Sequence, residues 1–336
     1  MLYVTTFDDI NSHTANKALT TGFVADSGAF VPFRLPKYTA DEIVGLKNCS
    51  FHQTIANILN MFFSAGLTEE DVELCIGRNM VKVSSMSHKL VIAELWHNLS
   101  GSFTHIEKSL YTRLSGVSDG EIPNWVRHAV RIGYLFAIYG EMLRCESILP
   151  GQTFDVSIPN DDFILPMSAW YCRAMGLPIK TIICSCDETN NLWDFLNYGT
   201  LSTTSISDAL RLGLSRLIFS TAGCRAVVRF LQSFENNQAY AIDKDTLPEL
   251  NRGLFCAVAG SDRAKNTINS VYRSTSYIMD PTTALCYSAL QDYRAKTGES
   301  GLTLILAEQT PMDASAAICE ATGLSREDLR DYIKHS

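Results

Sequence analysis

Asp161-Asp162 and Asp187-Glu188 follow two short apolar runs, Phe154 to Ile158 and Ile179 to Cys184. Four carboxylates gathered at one point would suit a hard divalent cation such as Mg²⁺ or Ca²⁺. Kept apart they are solvated loop residues, and that is the expectation here. His97 and His105 could exchange protons near neutral pH. They fall on different elements with no carboxylate positioned beside them, so packing or loop roles are expected for both. Cys184-Ser185-Cys186 is the one close pair among ten cysteines. In a strand both thiols would face one side, yet no second such pair and no nearby histidine completes a zinc set. All ten are expected to serve as small hydrophobes, and no metal site is expected.

The elements that must position these groups follow from periodicity. Phe154 to Ile158 is ended by Pro159. Met167 to Met175 carries helix formers and stops at Gly176-Leu177-Pro178, and Ile179 to Cys184 is the second apolar run. A buried strand, a helix with a glycine stop and another buried strand make a βαβ unit of a parallel sheet. Ligands of such sheets bind at the carboxyl ends of the strands, here at Pro159-Asn160-Asp161-Asp162 and Ser185-Cys186-Asp187-Glu188. Leu90 to Leu95 reads as a further strand, followed by a loop at Trp96 to Gly101. Asn124 to Cys145 reads as a long helix. Gly253 to Ala259 and Leu302 to Leu306 read as strands. Residues 1–80 read as mainly helical, with Thr39 capping one helix and Thr68-Glu69-Glu70-Asp71 opening another.

With 336 residues, 46% of them hydrophobic and 19% charged, the chain can bury a sizeable core. Its net charge of −8, without a lysine or arginine cluster, argues against nucleic acid or an anionic membrane surface as partner. The longest apolar stretch, Ile132 to Leu143, is interrupted by Glu141 and is too short to span a bilayer. Met1 leads directly into Leu2-Tyr3-Val4 with no basic or cleavable leader, so a cytoplasmic location is expected.

Several segments together resemble the threonine synthase family. Met175-Gly176-Leu177-Pro178-Ile179, Asn124-Trp125-x-Arg127 and Asp280-Pro281-x-Thr283-Ala284 match its framework motifs, and Phe163 and Asn190 match single positions around them. The turn at Asp26-Ser27-Gly28-Ala29-Phe30-Val31-Pro32 is similar to the family's Asp-Gly-Gly-Leu-Tyr-Val-Pro, with Ser27 in place of one glycine. Leu214 to Phe219 is similar to its Asn-Leu-Glu-Arg-Leu-Leu-Phe. The resemblance implies an α/β protein of the fold type II, tryptophan synthase β-like class, a parallel sheet flanked by helices. It divides the chain into an N-terminal helical cap at 1–85, a remnant of the cofactor-binding subdomain at 86–123 and a large α/β domain at 124–336.

In that family a lysine in Glu-Leu-Phe-His-Gly-Pro-Thr-Leu-Ala-Phe-Lys-Asp forms a Schiff base with pyridoxal phosphate. Registering Glu94, Leu95, His97 and Phe103 on it places Thr104 at the lysine and His105 at the aspartate. A hydroxyl cannot form an imine. Lys108, one helical turn on, is the one nearby substitute, and a solvated surface lysine is expected there. The family's phosphate loop lies between its lysine and the Asn-Trp-x-Arg helix, yet only twenty residues separate Thr104 from Asn124. A strand, glycine-rich loop, helix and return strand need roughly thirty or more. Much of the smaller subdomain is therefore expected to be missing.

Elsewhere Asn160, Asp161 and Asp162 replace the family's Gly-Asn-Phe-Gly turn residues, and Thr282 replaces a histidine. Glu308 stands where a threonine faces the pyridine nitrogen, and Thr310 where a histidine follows. The resemblance leaves Asn160, Asp162 and Glu308 as remnants of cofactor positions and His97, Asn124 and Arg127 as remnants of substrate positions. Framework kept and chemistry lost points to a catalytically inactive threonine synthase-like protein without cofactor, with a binding or regulatory role. Its partner would be a second copy, an active homologue or a small ligand. The alternatives are an active lyase turning O-phosphohomoserine into threonine and phosphate through Lys108 or a loop shared between subunits, and a metal enzyme using the four carboxylates.

Overall fold

The computed structural model describes residues 1–21, 28–78, 81–97, 103–160, 162–186, 192–202 and 206–335. At its centre is a six-stranded sheet in the order β10-β7-β6-β11-β5-β4. The strands are β4 (Lys82–Ser87), β5 (Leu90–Glu94), β6 (Phe154–Pro159), β7 (Ile179–Cys186), β10 (Leu254–Val258) and β11 (Leu302–Ala307). All neighbours run parallel except β4, which is antiparallel to β5. The sheet is thus mixed where a parallel one was expected. The polar Lys82–Ser87 carries no apolar run to reveal it, and such a strand suits a sheet edge.

Three short antiparallel strands, β1 (Leu2–Thr5), β2 (His13–Thr14) and β3 (Phe30–Pro32), form a small sheet in the order β2-β1-β3. β8 (Thr200–Leu201) and β9 (Tyr240–Ala241) pair separately. The central sheet takes strands from all three segments marked out by sequence.

Because side chains alternate along a strand, the sheet builds two cores. On one face Val91, Ala93, Val156, Ile158, Ile182, Leu304 and Leu306 are buried. They pack beneath α3 (Phe51–Phe63), α6 (Asn124–Arg144) and α7 (Ile164–Met175). The short α1 (Ala15–Thr20), α2 (Ala40–Gly45) and α4 (Glu69–Ile76) flank that layer, and α5 (Phe103–Ser115) joins it. The second face, with Leu90, Ile92, Ile183 and Ile305, is covered by α12 (Ser261–Thr275), α13 (Pro281–Thr297), α14 (Ser315–Thr322) and α15 (Arg326–His335). Between them along the chain come α8 (Leu192–Tyr198), α9 (Asp208–Ala222), α10 (Cys224–Glu235) and α11 (Leu247–Leu250). Covering on both faces explains why β5 and β11 are buried at every position. Among the described residues no helix is long and apolar enough to cross a membrane.

Local signals account for the ends of these helices. Thr39 caps α2 in a reciprocal capping box with Glu42. Gly176 ends α7 at φ 119°, where an added Cβ would lie 2.8 Å from the Tyr38 carbonyl oxygen. Gly176→Ala is expected to destabilise the protein by at least about 1 kcal/mol for the left-handed backbone alone, measurable as a lower urea midpoint at unchanged slope.

Candidate functional site

The carboxyl ends of β6 and β11 lie side by side, and each is followed by a carboxylate, Asp162 and Glu308. Above them runs α6, buried on almost every side yet carrying Arg127 and Arg131 one turn apart on one face. From α5 the fully buried Glu107 reaches between the two guanidinium groups. Its Oε2 accepts from Arg127 Nε and its Oε1 from Arg131 Nε, both at 3.0 Å. Arg127 Nη1 continues to Asp162 Oδ2 at 3.2 Å, and Arg131 Nη1 donates to Glu308 Oε1 at 2.9 Å. The outcome is an alternating chain, Asp162–Arg127–Glu107–Arg131–Glu308, with one net negative charge. Burial alone would lower the Arg131 pKa, but the carboxylates of Glu308, Glu107 and Asp162 outweigh it and raise the value. The Phe103 ring lies 4.4 Å from the Arg131 guanidinium carbon, close enough for cation–π attraction. The cavity left beside them, lined by Leu95, Phe103, Arg131 and Glu308 among others, measures about 10 Å³.

Sequence reasoning missed Glu107 and Arg131. The signal was present: Glu107 lies four residues after Phe103 and three before Leu110, inside the apolar stripe of its helix. Arg127 and Arg131 are likewise the charged exceptions in the apolar first half of α6. Thr104, His105 and Lys108 occupy the exposed side of α5. Lys108 is one residue from Glu107, about 100° around the helix.

His97 is differently placed than expected, because it does have a carboxylate. β5 ends in a 3-10 turn, Leu95–His97, which folds His97 back so that Nε2 lies 3.0 Å from Glu94 Oε2. Glu94, 1% exposed, also accepts from the Tyr277 hydroxyl at 2.7 Å and lies 3.5 Å from Lys82 Nζ. Burial, then the Glu94 charge, raises the Tyr277 pKa, so this phenol stays a donor. Burial also lowers the His97 pKa despite the carboxylate, and the ring stacks on Trp96 at 3.6 Å.

Asn124, the third substrate remnant, accepts from Arg216 Nη1. That guanidinium is 1% exposed and donates Nε–H to the Phe30 carbonyl at 3.2 Å. No carboxylate pairs with it among the described residues, and burial lowers its pKa to about 10. Asn160 is 3% exposed, its N–H donating to the Ser185 carbonyl at 3.0 Å. Phe163 follows in the left-handed region, φ 58°, a strained backbone at the strand end. Thr282 opens α13, where its N–H donates to Asp280, and Thr310 caps the turn at Pro311–Ala314. Asp161, Asp187, Glu188 and Asn190 lie outside the described residues. Among the described residues no group of three or more histidines, cysteines or carboxylates is placed to hold a metal ion. Cys186 and Cys256, on adjoining strands, are buried with sulfurs 2.7 Å apart.

Beneath the ion chain, His128 is fully buried, its Nδ1 2.9 Å from Ser168 Oγ. Ser168 donates its one proton to the Ile164 carbonyl, so the ring nitrogen is the donor to Oγ. Burial, then Arg216, Arg127 and Arg131, hold the His128 pKa well below its ordinary value. The unfolded chain therefore binds this proton first, and stability is lost as pH falls below about 6.5, by up to about 1.4 kcal/mol per pH unit. His128→Gln is expected to flatten this part of the profile, read from urea midpoints at neutral pH and at pH values below the histidine range.

Comparison with known proteins gives this arrangement its context. Residues 2–80 match the family model described as Threonine synthase N terminus. Threonine synthase-like 1 of Homo sapiens is 25% identical over 193 residues, 54% of this chain and 26% of that protein. Threonine synthase of Pseudomonas aeruginosa is 26% identical over 204 residues, 57% of this chain and 42% of that one. The chain spans about a quarter of the length of the Threonine synthase-like 1 relatives. The crystal structure of PLP-bound threonine synthase from Brucella melitensis superposes with a TM-score of 0.83 at 16% identity, covering 96% of this chain and 92% of that one. The yeast threonine synthase gives 0.81 at 15%, covering 97% and 90%. Those two likenesses are of fold. Joined to the mixed α/β sheet, they show that the chain has the fold of the threonine synthases, of fold type II architecture, and its residues 2–80 carry the threonine synthase N-terminal pattern.

Proposed function

We propose that this chain is a threonine synthase family member that does not carry out pyridoxal-phosphate chemistry and acts instead by binding a partner or small ligand. The observation that supports this most is Glu107. An imine requires an amine facing the strand ends, and α5 presents there a carboxylate already shared between two arginines. Its one lysine, Lys108, is on the exposed side. The cavity of about 10 Å³ beside the ion chain has room for about one water, not for a pyridine ring. A phosphate dianion would meet three carboxylates and two guanidiniums that are already paired. Only residues 116–123 separate α5 from α6, too few for a strand–loop–helix phosphate cradle. The described residues around this ion chain do not fit the cofactor.

The test is functional and direct. Purified protein with pyridoxal phosphate and O-phosphohomoserine is expected to release no threonine and no phosphate above a protein-free control. Turnover that Lys108→Ala abolishes would overturn the proposal.

A further inference from the structure

The two outer strands of the central sheet end it differently. β4 is polar and begins with a lysine, features that discourage edge pairing. β10, Leu-Phe-Cys-Ala-Val, has no charge. Ala259 donates its N–H to the Cys186 carbonyl and Gly253 accepts from Ile182 N–H. In a parallel ladder successive residues turn their backbone groups to opposite sides. Odd-numbered residues of this stretch therefore face β7, and Cys256 and Val258 face outward. Among the described residues no backbone partner takes their N–H or C=O groups. They open onto a groove of about 680 Å³ flanked by Trp193 on one side and by Asp292, Ala295 and Lys296 of α13 on the other.

We propose that two copies of this chain join β10 to β10, antiparallel, about a twofold axis through Ala257. In that register Cys256 faces the partner's Val258 and exchanges both N–H···O=C bonds with it, and the symmetry repeats the exchange. Ala257 then meets its own copy at the close, non-hydrogen-bonded position, Cα atoms about 4.5 Å apart, where a small side chain is required. The charges favour the same partner. Asp292 and Lys296 lie one turn apart on α13, with the Lys296 ammonium 5.6 Å from the Phe255 ring centre. Arg263 holds Asp292 from the other side through both carboxylate oxygens. A twofold reversal carries each Lys296 toward the partner's Asp292, so the groove complements itself in hydrogen bonds and in charge.

Sedimentation velocity on the whole chain over a dilution series tests this. The wild type is expected to show a dimer that dissociates on dilution. Val258→Pro removes one outward N–H per copy without removing a bond inside the sheet. It should weaken the dimer at least about tenfold, as expected for two lost interchain hydrogen bonds, with an unchanged circular dichroism spectrum. Lys296→Glu, on an exposed helix position that leaves folding alone, should also weaken it, and by less at high salt. A wild type that stays monomeric throughout, or a dimer that both variants leave intact, would overturn the proposal.

Discussion

Glu107→Ala is expected to cost about 3–5 kcal/mol, the range found when one partner of a buried ion pair is removed. Glu107 is fully buried, and its two oxygens each take one arginine Nε at 3.0 Å. Without it, Arg127 and Arg131 keep only Asp162 and Glu308, both nearer the solvent. Two desolvated guanidiniums then share the apolar underside of α5. Converting Glu107 and Arg131 together to apolar residues of similar size should restore much of the loss, since an ion pair in the interior gains little over good apolar packing. Lys108→Ala, one residue along and exposed, should lie within about 0.5 kcal/mol of wild type. Urea denaturation of the four proteins separates these outcomes, and equal effects at 107 and 108 would sink the assignment of Glu107 as the centre of the network.

Trp125→Ala carries an expected loss of comparable size, about 3–5 kcal/mol for a large buried aromatic. Trp125 is 1% exposed and meets Tyr3, Phe62 and Tyr171 edge-on, with ring centres 5.3 to 5.8 Å apart. Its Nε1–H donates to the Tyr3 hydroxyl at 3.0 Å, and that hydroxyl donates to the Phe62 carbonyl at 3.0 Å. One side chain thus ties the N-terminal sheet and α3 to α6. Trp125→Phe keeps most of the packing and loses the indole donor, so about 1 kcal/mol is expected. The pair of variants, read by thermal melting, divides the packing contribution from the hydrogen bond. The Asn-Trp-x-Arg resemblance had marked this residue as framework, and its contacts give the physical reason.

Much of the fold was legible because it rests on local rules. The βαβ unit from Phe154 to Cys186, the glycine stop at Gly176 and the Thr39 cap are set by periodicity and backbone preference within a few residues. β4 was not legible, since Lys-Val-Ser-Ser-Met-Ser lacks the alternation a half-buried strand shows. The strands at His13–Thr14 and Phe30–Pro32, inside a segment that reads as mainly helical, are too short to leave a pattern. The site was legible only in pieces. Arg127, Asp162 and Glu308 were flagged one at a time, but the ion chain joins residues 107, 127, 131, 162 and 308, and no spacing rule connects those positions. An imine needs an amine, and Lys108 is the one lysine of α5. Helical phase turned the neighbouring carboxylate inward instead.

We propose that no lysine of this chain forms an imine with pyridoxal phosphate. Incubation with pyridoxal phosphate, borohydride reduction and peptide mapping tests it most directly. No lysine is expected to be labelled stoichiometrically, with only weak, scattered modification of exposed amines. One lysine reduced onto the cofactor at a ratio near one per chain, and protected by O-phosphohomoserine, would contradict it.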